Sequence, residues 1–139
     1  MKYWDSSALV ALLVDEPESA HRHETVRRDP MIVTWWGSRI ECALALNRLE
    51  REGRFEGGGF DRSLDKLGLL AETWIEIEPL EQVRKRAMRL LRLHPLRAAD
   101  ALQLAAALTA ADEDPQRLDL VCSDDRLSRA AHREGFTVL

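Results

Sequence analysis

Asp100 occupies a position in the sequence where an acidic residue is unusual. It lies within LRAADALQLAAALT (residues 96–109), where Leu and Ala occur on every side of a predicted helix. A charged carboxylate in apolar surroundings is strongly unfavourable unless it is paired, hydrogen-bonded or bound to a metal ion. A partner for Asp100 is therefore expected elsewhere in the chain.

Three further acids are candidates for the same site. Asp5 follows KYW and Asp124 follows LDLVCS, two short apolar stretches that are typical of buried strands. Ligands of open parallel sheets bind beyond the carboxyl ends of the strands, so Asp5 and Asp124 are expected to meet there. For Glu41 and Asp100, hydrophobic periodicity does not determine whether the side chains reach that edge. Both lie near the start of a helix and interrupt an apolar face, and we take the four acids as one candidate cluster.

A cluster of carboxylates that stays ionised near neutral pH needs a cation, because converging negative charges raise one another's pKa. Mg²⁺ and Mn²⁺ take oxygen ligands and keep several waters, so a few acids suffice. The histidines His21, His23, His94 and His132 have no ligand spacing, and we predict surface positions for all of them. The predicted cofactor is therefore Mg²⁺ or Mn²⁺.

Two of the acidic sites also have an ordinary structural explanation as helix caps. Asp is a preferred residue immediately before a helix, which fits Asp5. The Ser-Asp-Asp turn that contains Asp124 and Asp125 is likewise a common capping sequence. From pattern alone, each of these residues is as compatible with a cap as with a ligand.

The other two acids have ion pairing as their structural explanation. Glu41 could face solvent or pair with Arg39. Asp100 could pair with Arg97, three residues earlier on the same predicted helix. Arg39 and Arg97 thus have two possible roles, as structural partners of the acids or as cations beside the site.

Strands and helices alternate along the chain, and this alternation predicts an α/β fold with a parallel sheet between helices. The predicted strands are KYW, MIVTW, TWIEIE, LDLVCS and FTVL. Ser6 or Ser7 is expected to cap the first helix. A later helix, from Ser38 to about Glu52, has Ile40, Leu44 and Leu49 on one side. The remaining predicted helices cover 18–28, 60–72, 79–93, the Asp100 segment and 125–133.

The length of 139 residues predicts a single domain over residues 1–139. No stretch reaches transmembrane length, and the apolar SSALVALLV lacks the features of a signal peptide. Cys42 and Cys122 lie far apart and are expected in the core of a cytoplasmic protein.

The charge of the chain is unevenly distributed. The net charge of −4 argues weakly against nucleic-acid binding. Residues 81–97, EQVRKRAMRLLRLHPLR, are strongly basic, although most of these side chains are expected to form a solvated helix face. RNA contact by this segment is a hypothesis.

Taken together, these residues resemble the PIN-domain family, and within it the VapC-type toxin ribonucleases of bacterial and archaeal toxin–antitoxin pairs. YWDSSALVALLVDEP is similar to the family's opening strand, turn and first helix, and SRIECALALNRLEREGR to its acidic helix. LRAADALQLAAAL resembles its most recognisable segment, and VCSDDRLSRAAHREGFTVL its closing strand, acidic turn and helix. The likeness spans nearly the whole chain.

The resemblance implies a three-layer α/β/α PIN-like domain with a central parallel sheet. It also implies Mg²⁺- or Mn²⁺-dependent cleavage of RNA, frequent homodimerisation and inhibition by a cognate antitoxin protein. The acids it assigns to catalysis and metal binding are Asp5, Glu41, Asp100 and Asp124, with Asp125 as the register alternative to Asp124. Ser6, where the family often has Thr, would orient Asp5 or a metal-bound water. Independently of the resemblance, Arg39 and Arg97 each precede a candidate ligand by two or three residues, and this placement suits contact with RNA.

Two other functions remain as alternatives. A non-catalytic PIN-like binding module would serve only as a partner surface, although such a protein is expected to lose acids and all four are present here. A phosphatase-like metal hydrolase is less favoured, because the haloacid dehalogenase pattern needs an Asp where Ser7 stands. A receiver-domain pattern is not met either.

Overall fold

The computed structural model covers residues 1–139 and contains one four-stranded sheet in which all strands are parallel. In chain order the strands are β1 (Lys2–Trp4), β2 (Ile32–Trp35), β3 (Ile75–Ile77) and β4 (Leu120–Val121), and their spatial order is β3-β2-β1-β4. In the register, Tyr3 pairs with Val33 on one side and with Leu120 on the other. The predicted α/β class with a parallel central sheet is confirmed.

Seven α-helices connect and cover the strands, as parallel pairing requires. They are α1 (Ser6–Leu13), α2 (Ser19–Arg28), α3 (Ser38–Arg51), α4 (Gly59–Ala71), α5 (Glu81–Leu93), α6 (Ala98–Ala110) and α7 (Asp125–Arg133). The predicted last strand FTVL is reduced to a single parallel bridge between Val138 and Leu120. Because β4 is only two residues long, it has few backbone groups with which a further strand could form hydrogen bonds.

The sheet separates two hydrophobic cores, which makes the fold a three-layer α/β/α arrangement. Successive residues of a strand point to opposite faces. Tyr3 therefore packs with Cys122 in the core beneath α5, α6 and α7, and Trp4 packs with Cys42 in the core beneath α1, α3 and α4. Each of the two cysteines thus lies in a different core, as expected for buried residues.

The buried face of α3 is not the apolar side that the sequence suggests. Cys42 and Leu46 are fully buried, whereas Ile40 is 64% and Leu44 63% exposed. Helix α3 packs against α1 and α4 through the row that contains Ser38, Cys42 and Leu46, which are four residues apart. Glu41 is therefore partly buried beside this row rather than in the middle of a buried Ile–Leu face.

His94 is buried, so the surface position predicted for all four histidines is wrong for this one. It ends α5, is 7% exposed, and its Nε2 lies 2.6 Å from Oε1 of Glu134. A carboxylate 40 residues away in the chain provides a hydrogen bond to one nitrogen of the buried ring. A partner so distant in the chain produces no spacing pattern from which the burial of His94 could be predicted.

None of the helices combines the length and hydrophobicity that crossing a membrane would require.

Candidate functional site

Asp5 lies at the carboxyl end of β1 and begins α1. It is the N-cap residue of this helix and accepts the backbone N–H of Ser7 on Oδ2 at 2.9 Å. The prediction that Ser6 or Ser7 caps the helix is therefore wrong, because α1 already begins at Ser6 and leaves Asp5 in the capping position. The Ser7 hydroxyl and the thiol of Cys122, at 3.7 Å, also donate to Oδ2.

The environment of Asp5 disfavours its charge. The pKa of Asp5 is raised from 3.8 to about 6, mainly by burial and also by the nearby negative charge of Glu41, while the hydrogen bonds from Ser7 oppose the shift. Asp5 is thus a largely desolvated carboxylate next to a second one. A cation at this place would relieve both effects.

Glu41 lies in the first turn of α3 and reaches the same edge of the sheet. Its Oε2 accepts the Ser6 hydroxyl at 2.6 Å and the Gln103 side-chain amide at 3.0 Å. Ser6 therefore contacts Glu41, and it is Ser7 whose hydroxyl contacts Asp5. The pairing of Glu41 with Arg39 that the sequence allows does not form, and Arg39 is exposed.

A buried polar network supports Glu41, and its central residue is Gln103. The Gln103 amide donates to Ser38 at 2.9 Å as well as to Glu41, and its Oε1 accepts the Tyr3 hydroxyl at 2.7 Å. Thr34 donates to the Ser38 hydroxyl at 2.7 Å. Sequence reasoning missed Gln103, although a lone amide in LQLAAAL, one helical turn after Asp100, is a usable signal.

Asp100 lies in the first turn of α6 and is partly exposed. Its Oδ2 accepts the backbone N–H of Arg97 at 3.1 Å, which caps the start of the helix. The Arg97 side chain forms no ion pair with it. Because residues three apart share a helix face, Asp100 lies on the side of α6 that carries Gln103.

Asp124 lies beyond the end of β4 and is the N-cap of α7. Its Oδ1 accepts the Leu127 N–H at 2.8 Å, and the residue is exposed, as is Asp125. The loop that carries Asp124 is connected to the surroundings of Asp5, because the Ser123 N–H donates to the Ser7 hydroxyl at 2.9 Å. Asp124 is thus at the expected sheet edge.

Arg22 is a second residue that the sequence did not single out. It is 5% exposed, and its Nη2 donates to Glu18 at 2.9 Å, to the Cys122 carbonyl at 3.2 Å and to the Ser123 hydroxyl at 3.1 Å. The arginine therefore clamps the loop between β4 and Asp124. In the strongly polar helix α2, nothing marks this residue as buried.

The four predicted ligands do not form one ligand set in this structure. No three His, Cys, Asp or Glu side chains lie close enough together to hold a metal ion. Asp5 accepts the hydroxyl of Ser7, and Glu41 accepts the hydroxyl of the adjacent Ser6. Asp100 and Asp124 instead accept backbone N–H groups at the starts of their own helices. That these acids bind a metal stays a prediction.

The chemistry of the donor set nevertheless fits a hard divalent cation. Glu41, Asp100 and Asp124 each accept their hydrogen bonds through one oxygen, and Asp5 accepts those of Ser7 and Cys122 through Oδ2. Carboxylate oxygens are the ligands that Mg²⁺ and Mn²⁺ prefer. The mutual repulsion of Asp5 and Glu41 supplies the electrostatic reason for a cation.

Comparison with known proteins identifies a shared fold. No family model and no curated protein matches the sequence. Among solved structures, a chain of a toxin–antitoxin complex from Klebsiella pneumoniae superposes with a TM-score of 0.61, covering 89% of this chain and 87% of that chain at 16% sequence identity. At this identity, the likeness establishes the fold.

Proposed function

We propose that this protein is a Mg²⁺- or Mn²⁺-dependent endoribonuclease of the PIN-domain type and the toxin of a VapBC-like toxin–antitoxin pair. The observation that carries the proposal is the buried Asp5 carboxylate at the carboxyl end of β1, connected through the adjacent Ser6 to Glu41. The fold it shares with a chain of a toxin–antitoxin complex supports the biological role.

Asp5 and Glu41 are the proposed principal metal ligands, and Asp100 and Asp124 complete the site. When bound, the divalent ion lowers the pKa of a coordinated water and offsets the charge that builds up on the phosphodiester. Ser6 and Gln103 restrain the Glu41 side chain by hydrogen bonding to Oε2. Their role is to keep the carboxylate at the site when its charge repels that of Asp5.

Arg39 and Arg97 are the proposed contacts to the RNA backbone at this edge. Both are exposed, and neither forms an ion pair with a carboxylate. Each precedes a proposed ligand by two or three residues. A guanidinium group binds phosphate oxygens in a planar, bidentate manner, which suits this position.

The proposed partners are an RNA substrate, a cognate antitoxin protein and a second copy of this chain, and the proposed location is the cytoplasm. An antitoxin partner is supported by the described complex from Klebsiella pneumoniae. A segment of the antitoxin is expected to cover the acidic edge and suppress cleavage.

A second candidate function is a non-catalytic PIN-like binding module. One observation favours it, namely that no three potential ligands are grouped closely enough to hold a metal ion. The two candidates differ in a measurable way, because only the ribonuclease requires the charge of the acidic residues for its activity.

The deciding experiment is cleavage of a labelled single-stranded RNA by purified protein with Mg²⁺, Mn²⁺ or EDTA. Glu41→Gln keeps the size of the side chain and removes its charge, so we expect cleavage to fall by about 100-fold or more. Glu50→Gln, the same change at an exposed position of α3, is the matched control and should cleave normally. If wild type and Glu41→Gln cleave equally, the ribonuclease proposal fails, and absence of metal-dependent cleavage favours the binding module.

A further inference from the structure

A cavity of about 310 Å³ lies between α7 and the turn that joins α5 to α6. Its volume is at the lower end of the range of ligand sites, which is ~300–1,000 Å³. Its lining residues are His94, Pro95, Arg126, Arg129, Ala130 and Arg133. Three arginines and a buried histidine thus surround one small space.

The three arginines of this cavity have no carboxylate partner. Arg126, Arg129 and Arg133 are spaced three and four residues apart on α7, so they share one face of the helix. None of them forms an ion pair, in contrast to Arg27 and Arg28, which both pair with Glu24. Guanidinium groups that share a face without counter-charge repel one another, and an anion in the cavity would relieve this repulsion.

The nearby acidic groups do not neutralise the cavity. Glu134 is directed to His94, whose Nε2 lies 2.6 Å from its carboxylate. Asp125 is exposed at the start of α7 and pairs with none of the arginines. The Nδ1 of His94, a residue that lines the cavity, is buried without a hydrogen-bond partner.

Helix α7 carries residues of both the cavity and the acidic edge. Asp124 caps the helix, and Arg126 follows it by two residues. With a rise of 1.5 Å per residue, Arg133 lies roughly 14 Å along the helix from Asp124. The loop before Asp124 is in turn tied to Asp5 through Cys122 and Ser7. A polynucleotide that crosses the acidic edge would therefore meet the arginines next.

We propose that this cavity is an anion subsite that binds the sugar-phosphate backbone of the RNA strand beyond the acidic edge, an inference that rests on the proposed ribonuclease function. The arginines supply charge-assisted, bidentate hydrogen bonds to phosphate oxygens. The subsite recognises the charge and spacing of the phosphates rather than the identity of the bases, because phosphate contacts carry no direct sequence information.

The test is the binding of a fluorescein-labelled, 12-nucleotide single-stranded RNA, followed by fluorescence anisotropy in EDTA at several KCl concentrations. EDTA keeps the RNA intact whether or not the protein is a metal-dependent nuclease. The variant Arg129→Ala/Arg133→Ala removes two positive charges, and Arg27→Ala/Arg28→Ala is the control with an equal charge change. Alanine is a favourable helix residue, and thermal melts verify that both variants fold.

We expect the α7 variant to lose about tenfold or more in affinity at low salt, and the control to lose less than about twofold. The slope of log affinity against log salt should decrease by about 1.4 for the α7 variant, since each phosphate contact in a single strand contributes about 0.7. Equal affinities for the α7 variant and the control would overturn the proposal. So would wild-type protein that binds no RNA.

The same variants separate this inference from the proposed function. If the α7 variant loses RNA binding but wild-type protein shows no metal-dependent cleavage, the subsite stands and the ribonuclease assignment fails. If instead the α7 variant binds RNA normally and loses its complex with the co-expressed antitoxin, the cavity binds an acidic protein segment and the RNA subsite is overturned.

Discussion

The side-chain amide of Gln103 lies 3.0 Å from Oε2 of Glu41 and joins α6 to α3 at the edge of the sheet. The orientation of the amide is determined by its other contacts, because Oε1 accepts the Tyr3 hydroxyl and Nε2 also donates to Ser38. Glu41 therefore receives a donor that cannot rotate away without breaking two further hydrogen bonds. The position of this acid depends on a residue 62 positions away.

Gln103→Leu tests this relationship. Leucine has similar volume but no hydrogen-bonding atoms, so Tyr3 and Ser38 lose partners in a buried setting. We expect the free energy of unfolding to fall by about 1–3 kcal/mol, measured by denaturant titration. RNA cleavage should also fall, because Glu41 loses a restraint. Gln82→Leu, at an exposed position of α5, is the control, and equal stabilities of the two variants would contradict the network.

The pH dependence of stability reports on Asp5. Burial raises the pKa of this carboxyl to about 6, so between pH 4 and pH 6 the folded protein binds a proton that the unfolded chain releases. The metal-free protein should therefore lose stability as pH rises through this window, and Asp5→Asn should not share this loss. We expect the difference between the two proteins to change by about 2 kcal/mol from pH 4 to pH 7. Parallel stability curves would refute this prediction.

Asp100→Asn separates metal binding from helix capping. The asparagine oxygen can still accept the Arg97 N–H, so the start of α6 should survive and the metal-free melting temperature should be unchanged or higher. Cleavage should fall by about 100-fold, and stabilisation by Mn²⁺ should shrink, because the negative charge is gone. Asp65→Asn on the exposed side of α4 is the control. A variant that cleaves RNA and responds to Mn²⁺ as the wild type does would rule out Asp100 as a ligand.

Arg22→Leu is predicted to loosen the loop that carries Asp124. The substitution removes three hydrogen bonds from one buried guanidinium group, and we expect a loss of about 3 kcal/mol in the free energy of unfolding. Arg28→Leu, which removes an exposed pair with Glu24, should cost less than about 1 kcal/mol. Amide hydrogen exchange should accelerate at Ser123 in the Arg22 variant only, and unchanged protection there would contradict the clamp.

The alternation of strands and helices was sufficient to predict the parallel sheet, because short apolar runs followed by capping acids mark the carboxyl ends of β1 and β4. The exposed side of α3 was not predictable, since Ile40 and Leu44 have the hydrophobicity of core residues. It is the packing of α3 against α1 and α4 that selects Cys42 and Leu46 instead.

The supporting residues of the site were harder to predict than its acids. An acid is conspicuous because its charge is unfavourable in an apolar segment. The uncharged amide of Gln103 is a weaker signal of the same kind, and Arg22 and His94 have no such local conflict. Their partners are Glu41, Ser123 and Glu134, which lie 40 to 101 residues away in the chain. Only tertiary structure brings these groups together, so no local periodicity encodes them.

The two cysteines lie on opposite faces of the sheet, and this placement makes them separate reporters of local opening. Burial, followed by the charge of Asp5, raises the pKa of the Cys122 thiol to about 12, and the same effects raise the pKa of Cys42 still further. Both side chains therefore remain unreactive thiols at neutral pH. Alkylation will proceed only when the surrounding layer unfolds, so the labelling rate at each cysteine measures the opening free energy of its own half of the molecule.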